Sequence, residues 1–364
     1  MGTLGVPGVQ AGSIAAIIWC AAAIRAVQRR RGGAEEVVGR PLLPASTRRR
    51  RRLVAGTAFV LLTAAASILV ARKLTHASWP LDNAQPLLVA AAASAYLVSF
   101  LFRARGWHRL FPPGDCPGQA GCLASVGAAA AGGAVLPFRL DYLIKIGTLR
   151  RLGGVRIGLE AIVLSIISLG MIDAIAMLPL SISATATSGS TLRGPLLVVV
   201  LFGIGCCTLF VVGGRVVRLP LLRRSRRLRR ISEHVGQHTA TGGRRDAIVA
   251  WFYLFACWST RAFGSAALLA ALGLSFSPTT ALSVICLGAA ASVIPITSGG
   301  VVVNAGAAAG ILLALGVGKN IAINFSLASG LLLVLSAVAA ALLGVFASMT
   351  VSAIARRSLA PGRA

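Results

Sequence analysis

Ile157 to Leu180 reads IGLEAIVLSIISLGMIDAIAMLPL. Only Glu160 and Asp173 are charged in this run. A helix needs about 20 predominantly apolar residues to cross the hydrocarbon core of a bilayer, and this run supplies them. An apolar run of this length belongs either in a very large protein core or in lipid. The rest of the chain favours lipid. Of its 364 residues, 56% are hydrophobic and 12% are charged, against about 25% charged in an ordinary soluble domain. Mean hydropathy is +0.83. A water-soluble fold would have too little polar surface to cover itself. The sequence therefore specifies an all-α, polytopic membrane helix bundle.

Working outward, further apolar runs fall at Val9–Ile24, 53–71, 86–102, 119–136, 195–214, 247–273, 279–296, 300–317 and 321–348. About seven to nine membrane-crossing helices are expected from these lengths. The first run has no preceding basic residue and no A-x-A-like site after it, so it reads as a marginal membrane helix and not as a signal peptide. Residues 1–52 form a hydrophobic segment with an Arg-rich linker, 53–350 the transmembrane domain, and 351–364 a tail.

Basic residues set the orientation. The linker 25–52 carries ten Arg, and the loop 215–246 carries ten more. The stretch 139–156 holds Arg139, Lys145, Arg150, Arg151 and Arg156, whereas the loop 274–278 has no basic residue. By the positive-inside rule the Arg-rich loops and the C-terminus face the cytoplasm. One segment conflicts. If 119–136 crossed fully, the basic stretch 139–156 would lie outside. A re-entrant segment that enters and leaves on the basic side removes the conflict. The Gly- and small-residue-rich runs 279–296 and 300–317 are either two crossings or a second re-entrant hairpin.

The net charge of +27 would ordinarily raise nucleic acid as a partner. Here the arginines sit between apolar runs with no aromatic stacking platform interleaved. Anionic lipid head groups are the expected partners of these loops, with 215–246 forming a short helix on the membrane surface. Arg outnumbers Lys 33 to 3, the mark of a high-GC bacterial coding sequence. The seven cysteines lie mostly in apolar runs and form no metal pattern; they read as small buried hydrophobes. His234 and His238 lack the glutamate of a metalloprotease motif.

Charged residues inside membrane runs are functional candidates. Asp173 lies deep in its helix and is expected to pair with Arg261, which sits mid-run in 247–273. Two segments interrupt the apolar pattern: Leu136-Pro137-Phe138-Arg139-Leu140-Asp141-Tyr142-Leu143-Ile144-Lys145, and Ile294-Pro295-Ile296-Thr297-Ser298-Gly299-Gly300-Val301-Val302-Val303-Asn304. Each places a Pro where a short Gly- or Ala-rich run ends. Helix N-termini there would bind an anion such as phosphate. Interrupted helices in corresponding positions of two halves are the signature of an inverted-repeat transporter with a midplane site.

At these segments the sequence resembles the membrane region of lysylphosphatidylglycerol synthases, a flippase-like family. Pro137 and Arg139 match its first motif, with Asp141 and Tyr142 where Gly and Glu are usual and Lys145 in the place of an Arg. Asp173 matches the helix Asp, with Leu169 and Gly170 where a Glu-Arg pair is usual. Pro295, Gly299 and Gly300 match the second motif, followed by Asn304 and Ala305 instead of Glu. Leu315-Gly316-Val317 matches the closing segment. The likeness spans about residues 53–348.

The resemblance implies a stand-alone lipid translocator in the bacterial cytoplasmic membrane, moving a phosphate-bearing phospholipid or lipid-linked head group between leaflets. Arg139 and Lys145 would attract the phosphate. Thr297, Ser298 and the Gly299-Gly300 backbone would bond it from the other half. Asp173 and Arg261 would line the path or set the packing. No P-loop occurs and no cofactor is expected. The rivals are a membrane glycosyl- or aminoacyl-transferase acting on a lipid phosphate, and a non-transporting partner subunit of such an enzyme; a homo-oligomer is also open.

Overall fold

The computed structural model describes residues 81, 84–111, 115–135, 140–153, 157–216, 241–292 and 300–358. The chain divides into two compact units, Met1–Asp82 and Asn83–Ala364, and all the helices described here belong to the second. Helices α1 (Pro86–His108), α2 (Gln119–Val135), α3 (Asp141–Leu152), α4 (Leu159–Thr187), α5 (Ser190–Val216), α6 (Thr241–Ala271), α7 (Pro278–Ser292), α8 (Gly300–Ala314) and α9 (Lys319–Ser358) account for nearly all of it. The described residues include no strand. The fold is an all-α membrane helix bundle. Five helices, α1, α4, α5, α6 and α9, are long and apolar enough to cross a membrane. The runs Val9–Ile24 and 53–71 and the loop 215–246 lie wholly or largely outside the described residues.

The remaining four helices form two hairpins. α2 has 17 residues and α3 has 12, about 25 and 18 Å at 1.5 Å per residue. Both fall short of a hydrocarbon core of about 30 Å. The Gly118 N–H donates to the Gly153 carbonyl at 3.0 Å, so the two ends of the hairpin lie side by side. Cys116 at its entrance touches His108 at the end of α1. The segment thus enters and leaves at one end of the bundle, the end that also carries Arg105, Arg109, Arg150 and Arg151. This is the re-entrant segment that the charge pattern requires. Asp141 in its first turn and Arg150 and Arg151 in its last suit the dipole of α3.

α7 and α8 are 15 residues each, about 22 Å, and pack on each other. α7 begins just after α6, whose last residue Ala271 accepts a bond from the Gln85 N–H at the start of α1. Ser283 on α7 meets Ser188, at the end of α4, at 3.1 Å. α8 leads directly into α9. The second hairpin therefore enters and leaves at the opposite end. Residues 279–317 hold one hairpin and not two crossings.

These two hairpins make the bundle an inverted repeat. α1, the α2–α3 hairpin and α4 form one half; α6, the α7–α8 hairpin and α9 form the other, running in the reverse direction. α5 connects them. α1 and α6 lie antiparallel at the centre as the most extensive helix pair, α1 packs on α9 as α6 packs on α4, and α2 packs on α9 as α7 packs on α4. Glycines set the central spacing. A Cβ on Gly106 would stand 3.3 Å from the Ala250 carbonyl oxygen, and one on Gly264 would stand 3.3 Å from the Ala92 carbonyl oxygen. One constant sequence offset relates both pairs. Between apolar helices in lipid, backbone approach of this kind supplies the contact.

Gly273 and Gly316 have φ of +86° and +80°. At each, the glycine N–H returns to the carbonyl three residues back (Ala270, Leu313), and the next N–H returns to the carbonyl five back (Leu269, Leu312). This double bond pattern caps α6 and α8 and satisfies otherwise orphaned carbonyls. The family-like Leu315-Gly316-Val317 segment is therefore a helix stop. Gly316→Ala should lower stability by about 1 kcal/mol, because a Cβ disfavours this backbone conformation. A thermal unfolding midpoint in detergent unchanged from the parent would contradict this.

Candidate functional site

Asp173 stands near the middle of α4, about 21 Å along the axis from Leu159. A bare carboxylate at that depth is costly, so its oxygens need donors. They have them. Arg103 Nη2 on α1 donates to Oδ2 at 2.6 Å. Trp258 Nε1 on α6 donates to Oδ1 at 2.6 Å. Both ionic side chains are largely buried, at 21% and 14% exposure. One acid thus ties three helices from both halves of the repeat.

This corrects the expected partner. Asp173 pairs with Arg103, not Arg261. The apolar run 86–102 stops short of Arg103 in the sequence, which places that arginine in a basic loop. In the structure α1 continues to His108, and Arg103 turns inward. Arg261 belongs to the same cluster by another route. Its Nε donates to Ser99 Oγ at 3.1 Å, and its guanidinium lies 5.2 Å from the ring centroids of both Phe100 and Trp258. Cation–π contact of this kind suits arginine in a dry site.

The two arginines are equivalents in the repeat. The offset that carries Gly106 onto Gly264 carries Arg103 onto Arg261, Phe100 onto Trp258 and Ser99 onto Cys257. Arg103 stacks on Trp258 at 5.8 Å as Arg261 stacks on Phe100. A sequence signal marks this: Arg103-Ala104-Arg105-Gly106 recurs as Arg261-Ala262-Phe263-Gly264. That repeat would have identified Arg103.

Lys145, on α3 of the first hairpin, completes the cluster. It is buried at 7% exposure, and its Nζ lies 4.1 Å from the ring centroid of Trp107. Trp107 Nε1 in turn donates to Ser165 Oγ on α4 at 3.1 Å. Ser125 on α2 donates to the Lys145 carbonyl at 2.5 Å. The charges of Arg103, Asp173 and Asp141 all act on Lys145. Arg103, Asp173, Arg261 and Lys145 thus stand among the rings of Phe100, Trp107 and Trp258.

A family model for the lysylphosphatidylglycerol synthase TM region matches residues 53–341. The chain belongs to that family. Neither a curated protein nor a solved structure matches it. Within this lysylphosphatidylglycerol synthase TM region, Asp141, Lys145, Asp173 and Arg261 are described with their side chains. Gly300 and Asn304 lie in α8. Pro137, Arg139, Pro295, Thr297, Ser298 and Gly299 fall outside the described residues, in the links between α2 and α3 and between α7 and α8. α8 packs on α2, so the two hairpins touch within the bundle.

Cys116, Cys122, Cys206, Cys207, Cys257 and Cys286 are free thiols, and no disulfide joins Cys116 to Cys122. No group of His, Cys, Asp and Glu among the described residues could hold a metal ion. Arg109 and Asp246 form an ion pair at 3.7 Å with both side chains about half exposed; such pairs contribute little to stability.

Proposed function

We propose that this protein translocates a phosphate-bearing lipid or lipid-linked head group between leaflets. The observation that carries this reading is the desolvated charge cluster of Arg103, Asp173, Arg261 and Lys145, held where the two inverted halves meet. A charged head group crossing hydrocarbon needs polar partners throughout its passage. Inverted halves around such a midplane site are the arrangement by which rocking of one half against the other exposes the site alternately to each side. Membership of a family whose name refers to a lipid supports a lipid as cargo.

The basic end of the bundle would face the cytoplasm of a bacterial cell, with its arginines on anionic head groups. The family-motif residues Arg139, Thr297, Ser298, Gly299 and Gly300 would receive the head group as it enters from either hairpin.

The test is direct. Purified full-length protein in vesicles of phosphatidylglycerol and phosphatidylethanolamine should speed the movement of a fluorescent phospholipid between leaflets well above protein-free vesicles. Lys145→Ala should slow it by about tenfold, the effect of losing one charged contact. Equal rates with and without protein, across several lipid classes, would overturn the reading. Product formation from a lipid-phosphate donor would instead favour an enzyme.

A further inference from the structure

The offset that carries Gly106 onto Gly264 runs on without a gap. It carries α2 onto α7, α3 onto α8 and α4 onto α9, and Pro137 onto Pro295. Two halves in one register would be expected to share one arrangement. At the second arm of each hairpin they do not. α8 packs on α7, on α2 and on α9, the helix that follows it. Its equivalent, α3, packs among the described residues on α2, while α4, the helix that follows α3, packs on α1, α5, α6 and α7. The second hairpin is folded against its outgoing helix, and the first stands apart from its own.

The joints leading into these outgoing helices differ as well. Ile157-Gly158-Leu159 forms one and Leu315-Gly316-Val317 the other, and the same offset carries Gly158 onto Gly316. Gly316 is left-handed, with φ of +80°. Gly158, the N-cap of α4, has φ of −61° and ψ of 140°. Only the first of these conformations calls for glycine. The backbone of Gly158 is open to any residue, and a Cβ there would meet nothing within 4 Å. As an N-cap it supplies no side-chain bond, where Ser or Asp would. Its present conformation therefore gives no reason for glycine. The conformation of its counterpart does.

We infer that Gly158 and Gly316 are paired hinges that exchange conformations between two states of the protein. In this structure Gly316 is left-handed with α8 docked on α9, and Gly158 is extended with α3 away from α4. In the other state Gly158 turns left-handed and α3 docks on α4, while Gly316 extends and α8 leaves α9. Glycine holds both conformations at little cost. Rocking of one inverted half against the other turns a central site from one side of the membrane to the other. The inference rests on the transport reading above for what the motion serves, and adds the joints at which it occurs.

Motion and lipid movement are measured separately. Spin labels on Leu143→Cys in α3 and Ile167→Cys in α4, both exposed, would report the distance between these helices in vesicles of phosphatidylglycerol and phosphatidylethanolamine. The full-length protein would carry Ser in place of Cys20, Cys116, Cys206 and Cys207. The parent should show two distances and Gly158→Ala only the longer. Gly316→Ala should shift the populations toward the shorter. Gly158→Ala should keep the parent's thermal midpoint yet slow the movement of a fluorescent phospholipid by about tenfold, the population penalty of a left-handed residue that carries a Cβ. Gly147→Ala is the control. Gly147 is exposed on α3 with no atom near its would-be Cβ, and alanine there should change neither readout.

A single distance in the parent, unaltered by Gly158→Ala, would overturn the inference. So would a lowered thermal midpoint in Gly158→Ala, which would make this a structural glycine. Lipid movement at the parent's rate in Gly158→Ala would overturn it while leaving transport standing. Two distances that depend on Gly158, without lipid movement in any variant, would uphold the hinges and remove the transport reading.

Discussion

Asp173→Ala is expected to cost about 3–5 kcal/mol of stability, the usual penalty for leaving one member of a buried ion pair uncompensated. The substitution strips Arg103 Nη2 and Trp258 Nε1 of their acceptor at once. Arg103→Ala should be of similar size, because Asp173 would keep only the indole N–H. The double variant should lose less than the sum of the two, since it removes both charges together. Unfolding of the purified protein in detergent, followed by loss of helical signal with added denaturing detergent, would supply the four values of the cycle. Strict additivity would mean that the pair holds nothing together. Asp173→Asn separates charge from hydrogen bonding: the amide oxygen can still accept from Trp258, but Arg103 loses its counter-charge.

Gly344→Ala should be damaging although it adds a single methyl group. On α9, a Cβ at this position would stand 2.7 Å from Ala124 Cα and 2.8 Å from the Ala120 carbonyl oxygen. Both are backbone atoms of α2 and cannot rotate away. Gly127, on the facing helix, has the reciprocal problem, with Ala341 N at 2.5 Å and the Ala337 carbonyl oxygen at 2.6 Å. Relief requires the helices to separate, which forfeits contact along the whole α2–α9 crossing. A cost of about 2 kcal/mol or more is expected, read as a lower yield of monodisperse protein and a lower thermal midpoint. Gly170→Ala is the control. Gly170 is exposed on α4 with no atom near its would-be Cβ, and alanine there should be neutral or mildly stabilising. Equal behaviour of Gly344→Ala and Gly170→Ala would contradict the close crossing.

The membrane class was legible from Ile157–Leu180 and the low charge content alone. The first hairpin was legible too, because the five basic residues of 139–156 made a full crossing of 119–136 inconsistent with the rest of the loops. The second hairpin was not. Its helices carry no charge to contradict either topology, and only the placement of α8 beside α9 resolves it. The charged centre was half legible: Asp173 and Arg261 stood out as charges within apolar runs, and Lys145 as part of an interrupted, basic segment. Arg103 did not, because it sits at the border of its apolar run, where arginines usually meet water. The family motifs around Arg139 and Ser298 were legible as residue types but not as a site.

By itself, then, the sequence determined the membrane class, the basic character of one set of loops, and that Asp173 and Arg261 lie within apolar helices. Hydropathy and charge are properties of one segment at a time, and the cost of burying a charge does not depend on its partner's name. Tertiary structure alone decided that Asp173 meets Arg103 and Trp258, and that Arg261 is Arg103's counterpart in the opposite half. Pairing across helices depends on crossing geometry, and that geometry is set by the backbone approaches at Gly106, Gly264, Gly127 and Gly344, whose partner atoms lie more than a hundred residues away in the chain.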